Sequence, residues 1–557
     1  MNTRRPPRPE NERLSNRDGF IASLAFWGLL AFALFGFAGL VLKFWPYTMD
    51  DSYITFRYAR NFAAGHGLVF NPGESPRAEG ITSPLYAILL SLAPASIDLP
   101  TVSKCLGVLS ICLTALLIGV LIFRACRCVT SLQRPILFVM SAAGASYYLL
   151  NPYIVGNAMS GMETSLAGLT FALFLFLLSI SVSNEKPRFR WLVITGMSAT
   201  LVPMFRPEMG LSVIVGILTL WLFAPAVRRH TFIILCTFFA LGTLYFVSRY
   251  VYYQMLLPLP FYIKQGGFSL YGISEVKDYL RHSRVVVLST FACLAFASAQ
   301  DARNNRLVNT FLIACILAIA CQLAYYSTIR HIMGFGLRYF QPLAAGIVFV
   351  GFVGACRIYG SLNASRCRNL ISLPIVFGGV FGLLLLGNVG AYWSAKHVLV
   401  DWYARGYGEK GITNWQPIVD AASGKSLIIA MNDCGKFPYY TGFPTVDLAG
   451  LNNRVIARGH SSLATLHEIE RKDPSLVILC GVDKHDPGAL RGWERVSSSE
   501  IRSLGYHYVG AIKVGKMLDR SDYYWLVFTK EDQDTHHFIN ELAAIGIFEY
   551  VQISGNE

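Results

Sequence analysis

Charge is scarce in this chain: only 15% of its 557 residues are Asp, Glu, Lys or Arg. Soluble domains carry roughly 25%. That deficit, with 54% hydrophobic residues and a mean hydropathy of +0.44, excludes an ordinary soluble protein and points to a polytopic membrane protein. Zinc-clip spacing is also missing from the 12 cysteines. Cys126 and Cys128 are too close for a Cys-x-x-Cys pair, and most others lie in apolar runs as small hydrophobes. Cys434 and Cys480 fall in the polar C-terminal part, where they either pair, if that part is extracytoplasmic, or stay as buried thiols. No internal repeat or low-complexity tract stands out. A phosphate loop is absent as well: Val419 stands where its first glycine is required, so Ser423 to Ser426 reads as a turn into a strand. The net charge of +14 does not indicate nucleic acid. The basic residues cluster between apolar runs, which is what the positive-inside bias produces.

What is present is a series of apolar runs. Residues 1–18 are basic and proline-rich, and are expected to be a disordered cytoplasmic tail. Ile21 to Leu42 is 22 residues without charge. It exceeds a signal-peptide core and lacks a cleavage site, so it reads as a retained anchor. Further spans are expected near 102–123, 136–154, 162–182, 190–205, 209–226, 231–250, 285–299, 308–326, 339–356 and 371–392. Pro84 to Ser96 is too short to cross and reads as a re-entrant or juxtamembrane helix. With that choice the cations at 124–134, 186–190, 228–229, 303–306 and 357–368 all share one side. The sequon Asn363-Ala364-Ser365 then falls inside and is discounted.

The fold class that follows is an α-helical polytopic membrane protein of about 11 transmembrane helices with a C-terminal soluble α/β domain. Its N-terminus is expected in the cytoplasm, beneath an inner or plasma membrane. Residues 19–394 form the membrane domain, and 44–101 its first outer loop. Residues 395–557 form an extracytoplasmic (periplasmic) domain. Strands are expected there at Leu427–Met431, Thr445–Leu448, Leu476–Cys480, Tyr508–Val514 and Tyr524–Phe528, with helices near Leu463–Arg471 and His537–Ile545.

The stretch from Trp45 to Arg57 carries the strongest chemistry. Asp50 and Asp51 stand together where the first span ends, and charge beside hydrocarbon usually marks a substrate path; the plainer reading is that both face solvent. Downstream lie Gly65-His66-Gly67, Ser160 to Thr164 with Glu163, Arg206-Pro207-Glu208, Leu257 to Lys264, and Arg330-His331 followed by Arg338. Arg206, Lys264 and Arg338 would suit a phosphate held at the membrane surface. Each has a structural alternative: Arg206 can pair with Glu208, Lys264 and Arg338 can be juxtamembrane anchors, Glu163 can cap a helix, and His66 can sit in a surface turn.

These residues resemble a known family. Asp50 to Tyr58, Gly65 to Glu74 and Thr82 to Leu85 are similar to GT-C glycosyltransferases. More specifically, they are similar to mycobacterial arabinofuranosyltransferases that finish cell-wall arabinan, and to the related pilin arabinosyltransferases. Ser160 to Thr164, Arg206 to Glu208, Leu257 to Lys264, Asp433 to Gly442 and Asp447 to Asn452 continue the resemblance. Pro258-Leu259-Pro260 and Ile332-Met333-Gly334 depart from the family pattern near the expected donor pocket, which leaves the sugar open. The resemblance implies a polyprenyl-phosphate-sugar donor, a glycan or pilin-like acceptor, and transfer of a pentose at the outer, extracytoplasmic face of the membrane. One aspartate of the pair would be the general base, Asp50 being the first choice because it is nearer the membrane. Arg57, His66, Arg206, Lys264 and Arg338 would hold the donor, with Glu163, Glu208 and His331 as substrate contacts. No residue is assigned to a metal, although two carboxylates can hold a divalent cation with water and phosphate. Tyr439, Tyr440 and Trp415 can stack on acceptor sugars or pack in a core. Two other classes remain: a transporter or flippase of lipid-linked sugar, which would place polar residues at the bilayer midplane, and a non-catalytic glycan-binding assembly factor.

Overall fold

The computed structural model describes residues 16–552, apart from 131, 185, 264–269, 271, 284–305, 330, 332, 365–381, 383–387, 406–411 and 531. The expected span at 285–299 and most of the one at 371–392 lie outside the described residues. So do Lys264 and Arg330.

The helices follow the apolar runs. They are α1 (Asn16–Phe44), α2 (Asp50–Ala63), α3 (Pro84–Ser91), α4 (Leu99–Val129), α5 (Arg134–Leu149), α6 (Pro152–Met159), α7 (Thr164–Ser183), α8 (Phe189–Phe205), α9 (Gly210–Phe223) and α10 (Arg228–Tyr253). Then come α11 (Leu259–Ile263), α12 (Ile273–His282), α13 (Arg306–Ser327) and α14 (Gln341–Ala364). Among the described residues, six helices are long and apolar enough to cross a membrane: Ala22–Phe44, Leu99–Val129, Thr164–Ser183, Pro225–Tyr253, Arg306–Ser327 and Phe335–Gly360. The chain is thus a multi-pass membrane protein. Leu24, Trp27, Phe35 and Leu42 of α1 are exposed, as side chains that face lipid should be, whereas Thr164–Ser183 and Phe335–Gly360 are enclosed by other helices.

Two expectations shift in detail. The run read as one span at 136–154 is cut after Leu149. Asn151 accepts hydrogen bonds from the N–H groups of Tyr153 and Ile154 and starts a new helix, α6, with Pro152 at its first position. Pro84 to Ser91 forms a helix of only 8 residues, short as expected, and it packs against α2.

The C-terminal part builds a six-stranded sheet in the order β2-β1-β3-β5-β4-β6. Its strands are β1 (Ile429–Met431), β2 (Thr445–Asp447), β3 (Leu476–Gly481), β4 (His507–Lys516), β5 (Asp522–Thr529) and β6 (Phe548–Tyr550). β1 runs parallel to β2 and β3, and the other pairs are antiparallel. Every residue of β3 is buried, which explains its unbroken apolar sequence. The turn at Gly424 leads into β1, and Lys425 donates to the Ala421 carbonyl and to Glu541. Cys434 and Cys480 are buried free thiols.

Candidate active site

α1 ends at Phe44, and Tyr47 and Met49 are buried in the turn that follows. Helix α2 then opens with Asp50 and Asp51 in its first turn, where unpaired helix N–H groups favour negative charge. Successive helical residues point about 100° apart, and the two carboxylates meet different neighbours.

Asp51 lines a cavity of about 640 Å³ together with Thr55, Ser83, Glu163, Arg206, Glu208, Phe261, Tyr325, Arg338, Tyr339 and Leu451. Its Oδ2 lies 3.4 Å from Nη2 of Arg338. Asp50, not among the residues that line this cavity, faces the C-terminal sheet domain. Its Oδ1 accepts a 2.9 Å hydrogen bond from the main-chain N–H of Lys436, and its own N–H donates to the Tyr403 hydroxyl at 2.9 Å. Burial raises the Asp50 carboxyl to about 7, and the charge of Asp433 adds to that rise against the opposing pull of Lys436. Asp433 accepts hydrogen bonds from the Tyr523 hydroxyl and from Nε1 of Trp525, and burial raises it too above the ordinary carboxylate range.

The start of α2 is fastened on its other side by the N–H of Met49, which donates to the Ser160 carbonyl at 2.9 Å. Next to it Gly161 has φ +81°, and a side chain there would press on Ser52 and Phe56. Glycine is therefore required by conformation and by space.

Two buried guanidiniums share the cavity. Arg338, 3% exposed, contacts Asp51 and Met49, and its Nε has no hydrogen-bond partner among the described residues. Arg206 lies 3.2 Å from Glu163 through Nε and 3.2 Å from Glu208 through Nη1, and its Nη2 has no such partner. Both stand over the ring of Tyr339, at 5.2 and 5.4 Å from its centroid. Glu163 occupies the N-cap position of α7 without capping it; its carboxylate pairs with Arg206 instead.

The other candidates are placed differently. Arg57 is buried and gives its donors to the carbonyls of Phe70, Pro438 and Phe443 and to Oδ1 of Asn71. It ties α2 to the following loop and to the sheet domain, and with its donors so committed it does not line the cavity. His66 lies in an exposed turn, also off the cavity wall. His331 stacks on Tyr339 at 4.8 Å and meets the Tyr326 carbonyl through Nε2, so it backs the cavity without lining it. Tyr53, Tyr439 and Tyr440 pack together, with Trp415 stacked on Tyr440. Among the described residues no three His, Cys, Asp or Glu side chains gather as a metal site. Sequence reasoning missed Thr55, Tyr325 and Tyr339 as cavity residues. It also missed Tyr403 at Asp50, for which spacing offers no signal.

A family profile described as "Domain of unknown function (DUF8728)" matches residues 414–528. No curated protein matches the chain in sequence. Solved structures do. The oligosaccharyltransferase of Archaeoglobus fulgidus, tethered with an acceptor peptide containing the NVT sequon, aligns at a TM-score of 0.52 and 10% identity, over 90% of this chain and 74% of its own. AglB from the same organism, in complex with an inhibitory peptide and a dolichol-phosphate, aligns at 0.52 and 11%, again over 90% and 74%. The fold is of the GT-C type. ArnT from Cupriavidus metallidurans in the apo state aligns at 0.48 and 12%, over 93% of this chain and 100% of its own. In the GT-C arrangement of this chain, the cavity with Asp51 lies where α1 gives way to α2.

Proposed function

We propose that the chain is a membrane glycosyltransferase that moves a sugar from a polyprenyl-phosphate donor to an acceptor hydroxyl on the extracytoplasmic side of the membrane. The observation that carries this reading is one cavity lined by Asp51 and by two buried arginines, Arg206 and Arg338. Two guanidiniums on one cavity wall suit a phosphate, which arginine holds through charge-assisted hydrogen bonds. AglB, which shares the fold, binds dolichol-phosphate, a lipid phosphate of the class that the proposed transfer would release, and such a lipid suits a cavity at the end of a membrane helix.

In the reaction, Asp51 takes the proton of the acceptor hydroxyl as its oxygen bonds to the anomeric carbon. The bond from that carbon to the phosphate oxygen breaks, and polyprenyl phosphate leaves with the electron pair. Arg338 and Arg206 meet the charge that develops on it. As a single displacement this inverts the anomeric carbon. Glu163 and Glu208 hold Arg206 in place. The sequence resemblance from Asp50 to Tyr58 and from Gly65 to Glu74 supports a pentose, arabinofuranose, and a glycan or pilin-like acceptor. The clustering of cations in the opposite loops supports an outward-facing site.

The test of the sugar is transfer from radiolabelled polyprenyl-phosphoryl arabinofuranose to a short arabinan by the purified protein, beside a hexose donor of equal chain length. Preferred transfer of the pentose supports the reading. Transfer from the hexose alone would keep the reaction and replace the sugar, and transfer from neither would sink it.

A further inference from the structure

Asp50 sits where three separate parts of the chain meet. Its main-chain N–H is taken by Tyr403, which lies between the last described membrane span and the sheet domain, and its carboxylate by the main chain of Lys436 in the sheet domain. Gly435 fits against it so closely that a β-carbon there would overlap both Oδ2 and the carbonyl of Asp50. The loop that makes this contact is itself rigidly held. Asn432 donates to Glu494, whose other oxygen accepts the N–H of Cys480 in β3. Asp433 is held by Tyr523 and Trp525 of β5, and the Cys434 thiol donates to the Met431 carbonyl. Each residue from Asn432 to Lys436 is thus either fastened to the sheet or set against Asp50.

We infer that the loop Asn432–Lys436 is a positioning element of the transfer site, acting through Asp50 on the adjacent Asp51. The inference rests on the transferase reading above. Its physical basis is that Asp50 and Asp51 share one helical turn, so a shift of α2 that loosens the first displaces the second from the cavity. A misplacement of about 1 Å can cost about 100-fold in rate. The sheet domain is then part of the catalytic apparatus, beyond any contact it makes with acceptor. It also explains why two acidic residues stand side by side when one faces the cavity: Asp51 does the chemistry, and Asp50 anchors it. Both carboxylates of the anchor, Asp50 and Asp433, are raised by burial, which marks them as enclosed groups.

The experiment uses the full-length protein in lipid nanodiscs with polyprenyl-phosphoryl arabinofuranose and a short arabinan, reading kcat and donor KM. Gly435→Ala and Asp50→Ala are expected to lower kcat by about tenfold or more while donor KM stays within about twofold. Asp50→Asn keeps an oxygen for the Lys436 N–H and should recover most of the loss seen in Asp50→Ala. Should either larger change prevent folding, Tyr403→Phe removes one hydroxyl only and should still lower kcat several-fold at unchanged KM. Unaltered kcat in Gly435→Ala and Tyr403→Phe would overturn the inference. So would an Asp50→Asn as inactive as Asp51→Asn, which would place Asp50 among the reacting groups. Wild-type protein without turnover on any lipid-phosphate sugar would instead overturn the transferase reading, and this inference with it.

Discussion

Nη2 of Arg338 stands 3.4 Å from Oδ2 of Asp51, at the outer limit of a hydrogen bond. The contact is close enough to orient the carboxylate toward the cavity that both residues line. Arg338 holds it from a position 287 residues further along the chain, so the site is made by tertiary packing.

Replacing Asp51 by Asn retains its size and removes its charge. We expect kcat to fall by about 10²–10⁴-fold, the usual worth of a general base, with membrane insertion unchanged. Initial rates at saturating donor, together with gel filtration of the detergent-solubilised variant, check both parts.

Arg338→Gln and Arg206→Gln should each lower kcat by about 10²–10³-fold, as loss of a donor to a developing anion does. They differ in stability. Arg206 pairs with Glu163 and Glu208, whose side chains are 5% and 14% exposed. Its loss leaves two enclosed carboxylates without a partner, costing about 3 kcal/mol. Thermal unfolding should therefore show the larger drop for Arg206→Gln.

Acid should stabilise the parts outside the membrane. Burial raises Asp50 and Glu494 each to about 7. A carboxyl held higher in the folded state contributes stability that is fully present below its unfolded value, near 4, and is lost as pH rises through 7. The unfolding midpoint should be higher at pH 5.5 than at pH 8, and Asp50→Asn should narrow the difference. A midpoint that falls on acidification would contradict this assignment of the buried carboxyls.

Cys434 and Cys480 should resist thiol reagents in the native protein. Burial holds both thiols well above their ordinary range, so little thiolate is available. Mass spectrometry after brief maleimide treatment should find them unmodified, and modified once the protein is unfolded. A disulfide between them in the isolated protein would contradict the arrangement.

How much of this was legible in the sequence depended on whether a feature is local. The uncharged run that becomes α1, and the acid pair at its exit, needed only length and composition. β3 showed itself as an apolar run because both faces of a central strand are buried, whereas β6 has three residues at a sheet edge, two of them exposed, and left no pattern to find. The break after Leu149 follows from Asn151 and Pro152, which a window of mean hydropathy passes over. The site was legible as a neighbourhood but not as an arrangement. Nothing in the sequence separates Arg57, committed to four oxygen acceptors, from Arg338, which lines the cavity. Likewise the choice between Asp50 and Asp51 is made by Gly435 and Lys436, far along the chain, so nearness to the membrane was a poor guide to which one faces the cavity.

A role for Asp51 in lipid-phosphate sugar transfer is tested by release of polyprenyl phosphate from polyprenyl-phosphoryl arabinofuranose, with and without a short arabinan acceptor. Acceptor-dependent release is expected from the wild-type protein and is expected to be lost in Asp51→Asn. Release that persists undiminished in Asp51→Asn, or none from any polyprenyl-phosphate sugar by the wild type, would contradict it.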